Sequence, residues 1–303
     1  MIDTAGLVRP ARPADAPGVV ALRTVVHPYL VRGVESTRRM IAEPPPEEDW
    51  AAWVAEADGR VVGWVSAYRN SQTSEPDVGE IANLHVHPAH RGHGVGTALL
   101  EAALDHLRTL GARRVRTWAQ PGSLPFARRH GFTPSRQARY SALDLRPAPP
   151  MPEPPPGVRL LPAAEVDPRR IHRVDAESSL DEPGDVPTDA MGYDIWHHEV
   201  WDNLGLDRDA STVAEVDGML TAISLVIRDG DRMWSGFTGT VPGHRGRGLA
   251  RLAKQAALHR AAESGVRIAY TSNDESNAPM LAVNARLGYR PVATQWSCLR
   301  ELT

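Results

Sequence analysis

The chain has 303 residues, 42% of them apolar and 23% charged, with a formal net charge of -3. That length supports about two domains, each with its own core, and so small a charge gives no general attraction to nucleic acid or to an anionic membrane. The single cysteine, Cys298, excludes an internal disulfide and a cysteine-based metal centre. No apolar run is long enough to span a bilayer. The N-terminal MIDTAGLVRPARPADAP has no leader-type apolar core, so a cytoplasmic protein is expected.

In chain order, AAWVAEADGRVVGWVSAYRN (51–70) reads as two strands joined at Asp58-Gly59, a strong hairpin signal. GEIANLHVHP (79–88) is a strand stopped by Pro88. From Val95 the apolar positions Ala98, Leu99, Ala102, Ala103, Leu107 and Leu110 form one helical face, closed by Gly111. RRVRTWA (113–119) is the next strand, Ser123–His130 a short helix, and FTPSRQARYSALDL (132–145) a last strand. The proline-dominated run RPAPPMPEPPPG (146–157) reads as a stiff spacer.

Beyond it the pattern returns. VHPAHRGHGVGTALLEAALDHLRTLGARRVRTW (86–118) matches TVPGHRGRGLARLAKQAALHRAAESGVRIAYTS (240–272) under a shift of 154 positions. Gly131-Phe132 then meets Gly288-Tyr289 after a three-residue insertion. The chain is a duplication. The expected division is a domain over 1–146, a linker over 147–157 and a second domain over 158–303, each a mixed α/β sheet with helices packed on it. Strands are expected around 212–215, 219–227, 233–241, 267–271 and 291–299, and helices at 247–264 and 278–287.

The stretch LHVHPAHRGHGVG (84–96) offers two chemistries. Its four histidines suggest a metal. In the second copy, however, Gly239, Val241 and Arg247 stand at the places of His85, His87 and His93, and only His90 survives, as His244. No metal is therefore assigned, and the histidines read as solvated. Both copies keep Arg-x-x-Gly-x-Gly/Ala between a strand and a helix: Arg91, Gly94, Gly96 and Arg245, Gly248, Ala250. Small residues let a ligand approach the backbone, and first-turn amides with the helix dipole attract an anion. This is a pyrophosphate cradle. The Gly-x-Gly-x-x-Gly of a Rossmann turn and the Gly-Lys-Ser/Thr of a Walker loop are both missing.

With these motifs in both halves, the chain resembles the GCN5-related N-acetyltransferases, over about residues 8–145 and 157–300. The resemblance implies two tandem acyl-CoA N-acyltransferase domains using acetyl-CoA as co-substrate. The turns Arg91, Gly92, His93, Gly94, Gly96, Thr97 and Arg245, Gly246, Arg247, Gly248, Ala250 would hold its pyrophosphate. The backbones of Leu84, Val86, Thr238 and Thr240 would bond its pantetheine arm. The amide of Leu84 or Thr238 would polarise the thioester carbonyl. Asn277 matches the family's CoA-contacting asparagine, and the first copy has Gln120 there.

The chemistry implied is attack of an amine on a thioester. The amine is protonated at neutral pH, so a base must take its proton. Glu80 matches a base position of one branch of the family; the second copy has Trp234 there. The tyrosine that many members use to protonate the thiolate is replaced by Ala127 and Asn284. The mycothiol synthases share the two-domain plan, and the missing tyrosine sets this chain apart from them. The acceptor side is expected at about 25–50 and 175–203, where acids would hold an amine and Trp196 and Trp201 would pack on its body. The leading reading is acetyl transfer to a primary amine of a small molecule. Transfer to a protein lysine or N-terminus, and a non-catalytic acyl-CoA-binding module, are the alternatives.

Overall fold

The computed structural model describes residues 8–302 apart from Pro46. Met1–Leu7 of the stretch read as leader-free, Pro46 of the acceptor segment, and Thr303 lie outside the described residues. The chain divides into two compact units. Unit 1 runs up to Ala138 and takes in the segment from Thr294; unit 2 is Arg139–Ala293.

Unit 1 begins with β1 (Val8–Pro10), α1 (Ala16–Val26) and α2 (Val34–Ala42). The hairpin β2 (Ala51–Ala57) and β3 (Arg60–Arg69) follows, then β4 (Val78–Val86) and α3 (Val95–Thr109). β5 (Arg114–Ala119), α4 (Leu124–Arg129) and the start of β6 (Thr133–Asp144) complete this stretch. Asp58 and Gly59 turn the hairpin with φ of 50° and 70°, the left-handed pair that a two-residue turn needs to match strand twist. Leu99, Leu100, Ala103, Leu104 and Leu107 of α3 pack on Val65, Ile81 and Val115 of the sheet. On the other face Val19 and Leu22 of α1 cover Ala52, Val54 and Trp64.

Unit 2 repeats the plan: β7 (Val158–Pro162), α5 (Pro168–Ser179), then α6 (Tyr193–Trp196) running into a π turn over His197–Trp201. Next come β8 (Thr212–Val216), β9 (Met219–Asp229), β10 (Arg232–Thr240), α7 (Leu249–Glu263), β11 (Ile268–Asp274), α8 (Ala278–Arg286) and the start of β12 (Arg290–Glu301). Asp217 and Gly218 turn its hairpin with φ of 50° and 81°. Ile171 and Val174 of α5 share a core with Ile223, Leu225 and Trp196.

These units do not coincide with the segments on either side of the proline run. In unit 1 the strand beside β5 comes from the far end of the chain: Trp296–Glu301 pair antiparallel with Ala119–Arg114. In unit 2 the strand beside β11 is β6, from the first copy in the sequence. Each sheet is thus completed by the strand that closes the other copy. The proline run takes no regular secondary structure. It lies along α7, where His259 Nδ1 is 2.8 Å from the Pro149 carbonyl and Gln255 Nε2 donates to Pro150 O at 3.2 Å.

Candidate active sites

Both units open their sheet at the same place. β4 and β5 run parallel from Val78–Ile81 against Arg114–Thr117, and the pairing then stops. β10 and β11 do likewise after Trp234 and Tyr270. Just beyond the opening, the strand on the cradle side is bulged. In unit 1 Ala82 pairs with Ser66 and His85 with Trp64, so Asn83 and Leu84 face the single residue Val65; Asn83 is left-handed, with φ of 57°. In unit 2 Gly236 and Phe237 face Leu225, because Ser235 pairs with Val226 and Thr238 with Ser224. Such an insertion breaks the ladder and re-aims backbone groups. Leu84 therefore lies in its bulge, whereas Thr238 lies one residue past its own and in register.

The glycine turns follow the strands. Gly92 and Gly94 have φ of 77° and 81°, Gly246 and Gly248 of 77° and 76°. Gly94 and Gly248 are the N-caps of α3 and α7 and supply no side-chain cap, so first-turn amides are left for a ligand. Arg91 Nε donates to Val86 O and Arg245 Nε to Thr240 O, each at 3.1 Å, tying turn to strand. Arg245 also pairs with Asp181. His93 and Arg247 are exposed at the turn tips. Thr97 Oγ1 lies 3.4 Å from His130 Nε2. A Cβ on Gly96 would meet Phe126 at 3.5 Å and Val86 at 3.6 Å, ordinary contact distances, in keeping with Ala250 at its place in unit 2. Asn277 caps α8, accepting from Met280 N at 3.3 Å. Gln120 instead donates to Val26 O at 3.2 Å. The two turns thus fit a diphosphate.

Glu80 is not a solvated strand-edge group. It is 5% exposed, 2.8 Å from the Arg116 guanidinium, and accepts from Asn70 Nδ2 at 3.0 Å. Arg116 sits on β5, across the parallel register from Glu80; sequence reasoning missed it because the pairing is long-range. His85 corrects the reading of the four histidines as solvated. The bulge turns its ring under α1, where it is 7% exposed and 6.0 Å from His27. Burial pushes His85 down to about 3 and His27 to about 4, so both are neutral at neutral pH. His87 accepts from Ala89 N at 3.3 Å and caps the short turn after β4.

On the acceptor side of unit 2, Trp196 is 2% exposed in the core and is no open wall. Its Nε1 donates to Asp175 Oδ2 at 2.7 Å, and burial nevertheless pushes the Asp175 carboxyl up to about 6. α5 approaches β10 closely: a Cβ on Gly239 would lie 2.5 Å from Ser178 Oγ. Gly239 holds the place that His85 has in unit 1. Ala127 and Asn284, at the places of the family's tyrosine, are 6% and 4% exposed, and Asn284 Nδ2 donates to Asn273 Oδ1 at 2.5 Å.

Comparison with known proteins identifies the family. The profile of the Acetyltransferase (GNAT) family matches residues 25–132 and again 172–289. A mycothiol acetyltransferase of a Nocardioides species is 27% identical over 277 residues, covering 82% of this chain and 88% of the relative. One from Saccharomonospora viridis is 30% identical over 237 residues, covering 71% and 72%. Among solved structures, a tandem GNAT protein from the clavulanic acid biosynthesis pathway superposes with a TM-score of 0.75 at 22% identity, over 97% of this chain and 98% of that one. A GCN5-related N-acetyltransferase from Sphaerobacter thermophilus gives 0.73 at 21% identity, over 97% and 95%. The chain belongs to the GNAT acetyltransferase family and is an acyltransferase that carries the family's fold twice.

Proposed function

We propose that the protein transfers an acetyl group from acetyl-CoA to a primary amine of a small molecule. The observation that supports this most is the duplicated series of split sheet, bulged strand, left-handed glycine turn and uncapped helix. When bound, the thioester supplies an acyl carbon open to attack by an amine. The turns Arg91–Thr97 and Arg245–Ala250 grip the diphosphate through backbone amides, and their arginines brace the turn from the strand end. In unit 1 Glu80 takes the amine proton, with Arg116 and Asn70 orienting its carboxylate. In unit 2 the strand offers Trp234 instead, and Asp175 on α5 is the carboxyl nearest in kind. No tyrosine serves the leaving thiolate at Ala127 or Asn284, so solvent protonates it. Relatives named as mycothiol, amino-acid and aminoglycoside acetyltransferases favour a small-molecule acceptor. The proposed division of labour assigns one acyl-CoA site to each unit, and no helix among the described residues is long and apolar enough to cross a membrane. The test is thiol release from acetyl-CoA with a panel of amines against a panel of lysine peptides. Turnover confined to peptides, or none with any amine, overturns the reading.

A further inference from the structure

The apex of the split sheet differs in kind between the units. In unit 1 it is lined by Ile81, Leu100 and Phe132, all in the apolar core, with Thr117 bonded across to Ile81 O at 2.8 Å. The repeat places Ser235, Lys254, Tyr289 and Thr271 at the same four positions of unit 2. All four are buried, at 2%, 1%, 3% and 3% exposure. Tyr289 OH and Ser235 Oγ are 2.8 Å apart, and Thr271 Oγ1 donates to Ser235 O at 3.4 Å. Among the described residues, Lys254 Nζ has only Thr271 Oγ1, at 3.4 Å, and the Tyr289 ring, 5.0 Å to its centroid, and no carboxylate pairs with it. An ammonium has three donors to satisfy, and burying one without an anion is costly. Unit 1 shows that the fold needs no polar group here.

Position gives the cluster its meaning. Ser235 and Thr271 are the first facing residues past the last paired rung of β10 and β11. An arm that starts at the Arg245–Gly248 turn and runs back along β10 past Thr240 and Thr238 ends its acyl chain at that rung. We propose that the apex of the β10–β11 split is an acyl-terminus subsite for a carboxylate-ended acyl thioester, with Lys254 as counter-ion and Ser235 and Thr271 as hydrogen-bond partners. This rests on unit 2 holding acyl-CoA. The apolar apex of unit 1 suits acetyl, so the two units differ in acyl donor.

The residue type fits the role. Lys254 is the only lysine in a chain whose other basic residues are arginines. A guanidinium cannot shed its proton, whereas an amine can. Burial pushes Lys254 down to about 7, so the empty site can hold it neutral and a carboxylate can draw the proton back. Among the described residues Tyr289 is the one other titratable group against it; burial pushes its hydroxyl up, so it stays neutral across this range.

The test compares a stable thioether of CoA ending in a carboxylate with its uncharged alkyl isostere, by calorimetry. The wild type binds the carboxylated analogue about tenfold tighter at one of its sites. Lys254→Leu, which copies Leu100 of unit 1, abolishes that preference and keeps the isostere's affinity within about threefold. In the wild type alone, binding of the carboxylated analogue at pH 8 takes up a proton, read from buffers of different ionisation enthalpy; the isostere takes up none. That second measurement stands even if Lys254→Leu fails to fold. Equal affinities, no proton uptake, or a preference surviving Lys254→Leu overturns the subsite while leaving acyl-CoA binding intact. A wild type that binds neither CoA nor any analogue overturns the acyltransferase reading and the subsite with it.

Discussion

Glu80 shows how a single side chain can serve stability and chemistry together. Its carboxylate is buried against Arg116 and Asn70. Glu80→Gln keeps the volume but removes one buried charge from beside the guanidinium, which costs about 3 kcal/mol for a buried pair. If Glu80 takes the amine proton, the same change lowers kcat in unit 1 by about 10²–10⁴-fold while acetyl-CoA affinity holds. Urea unfolding and single-turnover kinetics separate the two; lost stability with unchanged kcat would make Glu80 structural. The buried histidines behave differently. His27 and His85 are held at about 4 and about 3, below the ordinary 6.5, mainly by burial. The unfolded chain therefore binds protons first as the pH falls. The stability contributed by their neutrality is complete above pH 6.5 and is lost as the pH falls from there toward the folded values. The slope is about 1.4 kcal/mol per pH unit for each fully titrating histidine. Denaturation midpoints at pH 7 and pH 5 should show it, and His85→Asn should flatten it; an unchanged slope would place the acid lability elsewhere.

At the scale of elements, the strand–turn–helix unit tells which glycines matter. Gly94 holds a left-handed φ as the N-cap of α3, and at its counterpart Gly248 nothing within 4 Å would obstruct a Cβ, so the need is conformational. Gly94→Ala costs about 1–2 kcal/mol of backbone strain and weakens acetyl-CoA binding by distorting the amides. Gly96→Ala should be nearly silent, because its Cβ meets neighbours at ordinary distance and unit 2 carries Ala250. Thermal unfolding and CoA titration of the two variants check the pair, and equal effects would show that bulk decides. This part of the fold was legible in advance. The Asp58-Gly59 turn, the apolar face of α3 and the repeated glycines all act locally, so the pattern carries them. The bulges were not, because Asn83-Leu84 and Gly236-Phe237 break an alternation that side-chain type alone does not mark. That hidden step is what sent His85 inward.

For the whole molecule, the proline run marks where one copy of the sequence ends, but the folded units are bounded elsewhere. Pairing is set by strands that meet in space, and nothing in a window of a few residues says that Trp296–Glu301 belong beside β5. Ser297 and Cys298 are fully buried in that setting, and Cys298 shares the core of α3 and β5. A chain cut within the proline run therefore leaves the first half without the strand that closes its sheet. That half keeps β5 with an open edge, and an uncovered edge invites aggregation. The second half loses β6 from beside β11 in the same way. Expressed alone, residues 1–150 and 151–303 should each be insoluble or molten. Co-expressed, they should recover a soluble 1:1 complex, because each supplies the strand the other lacks. Gel filtration with circular dichroism of the separate and paired fragments decides the matter. Two independently folded, monomeric halves would show that the strand exchange contributes little to either core.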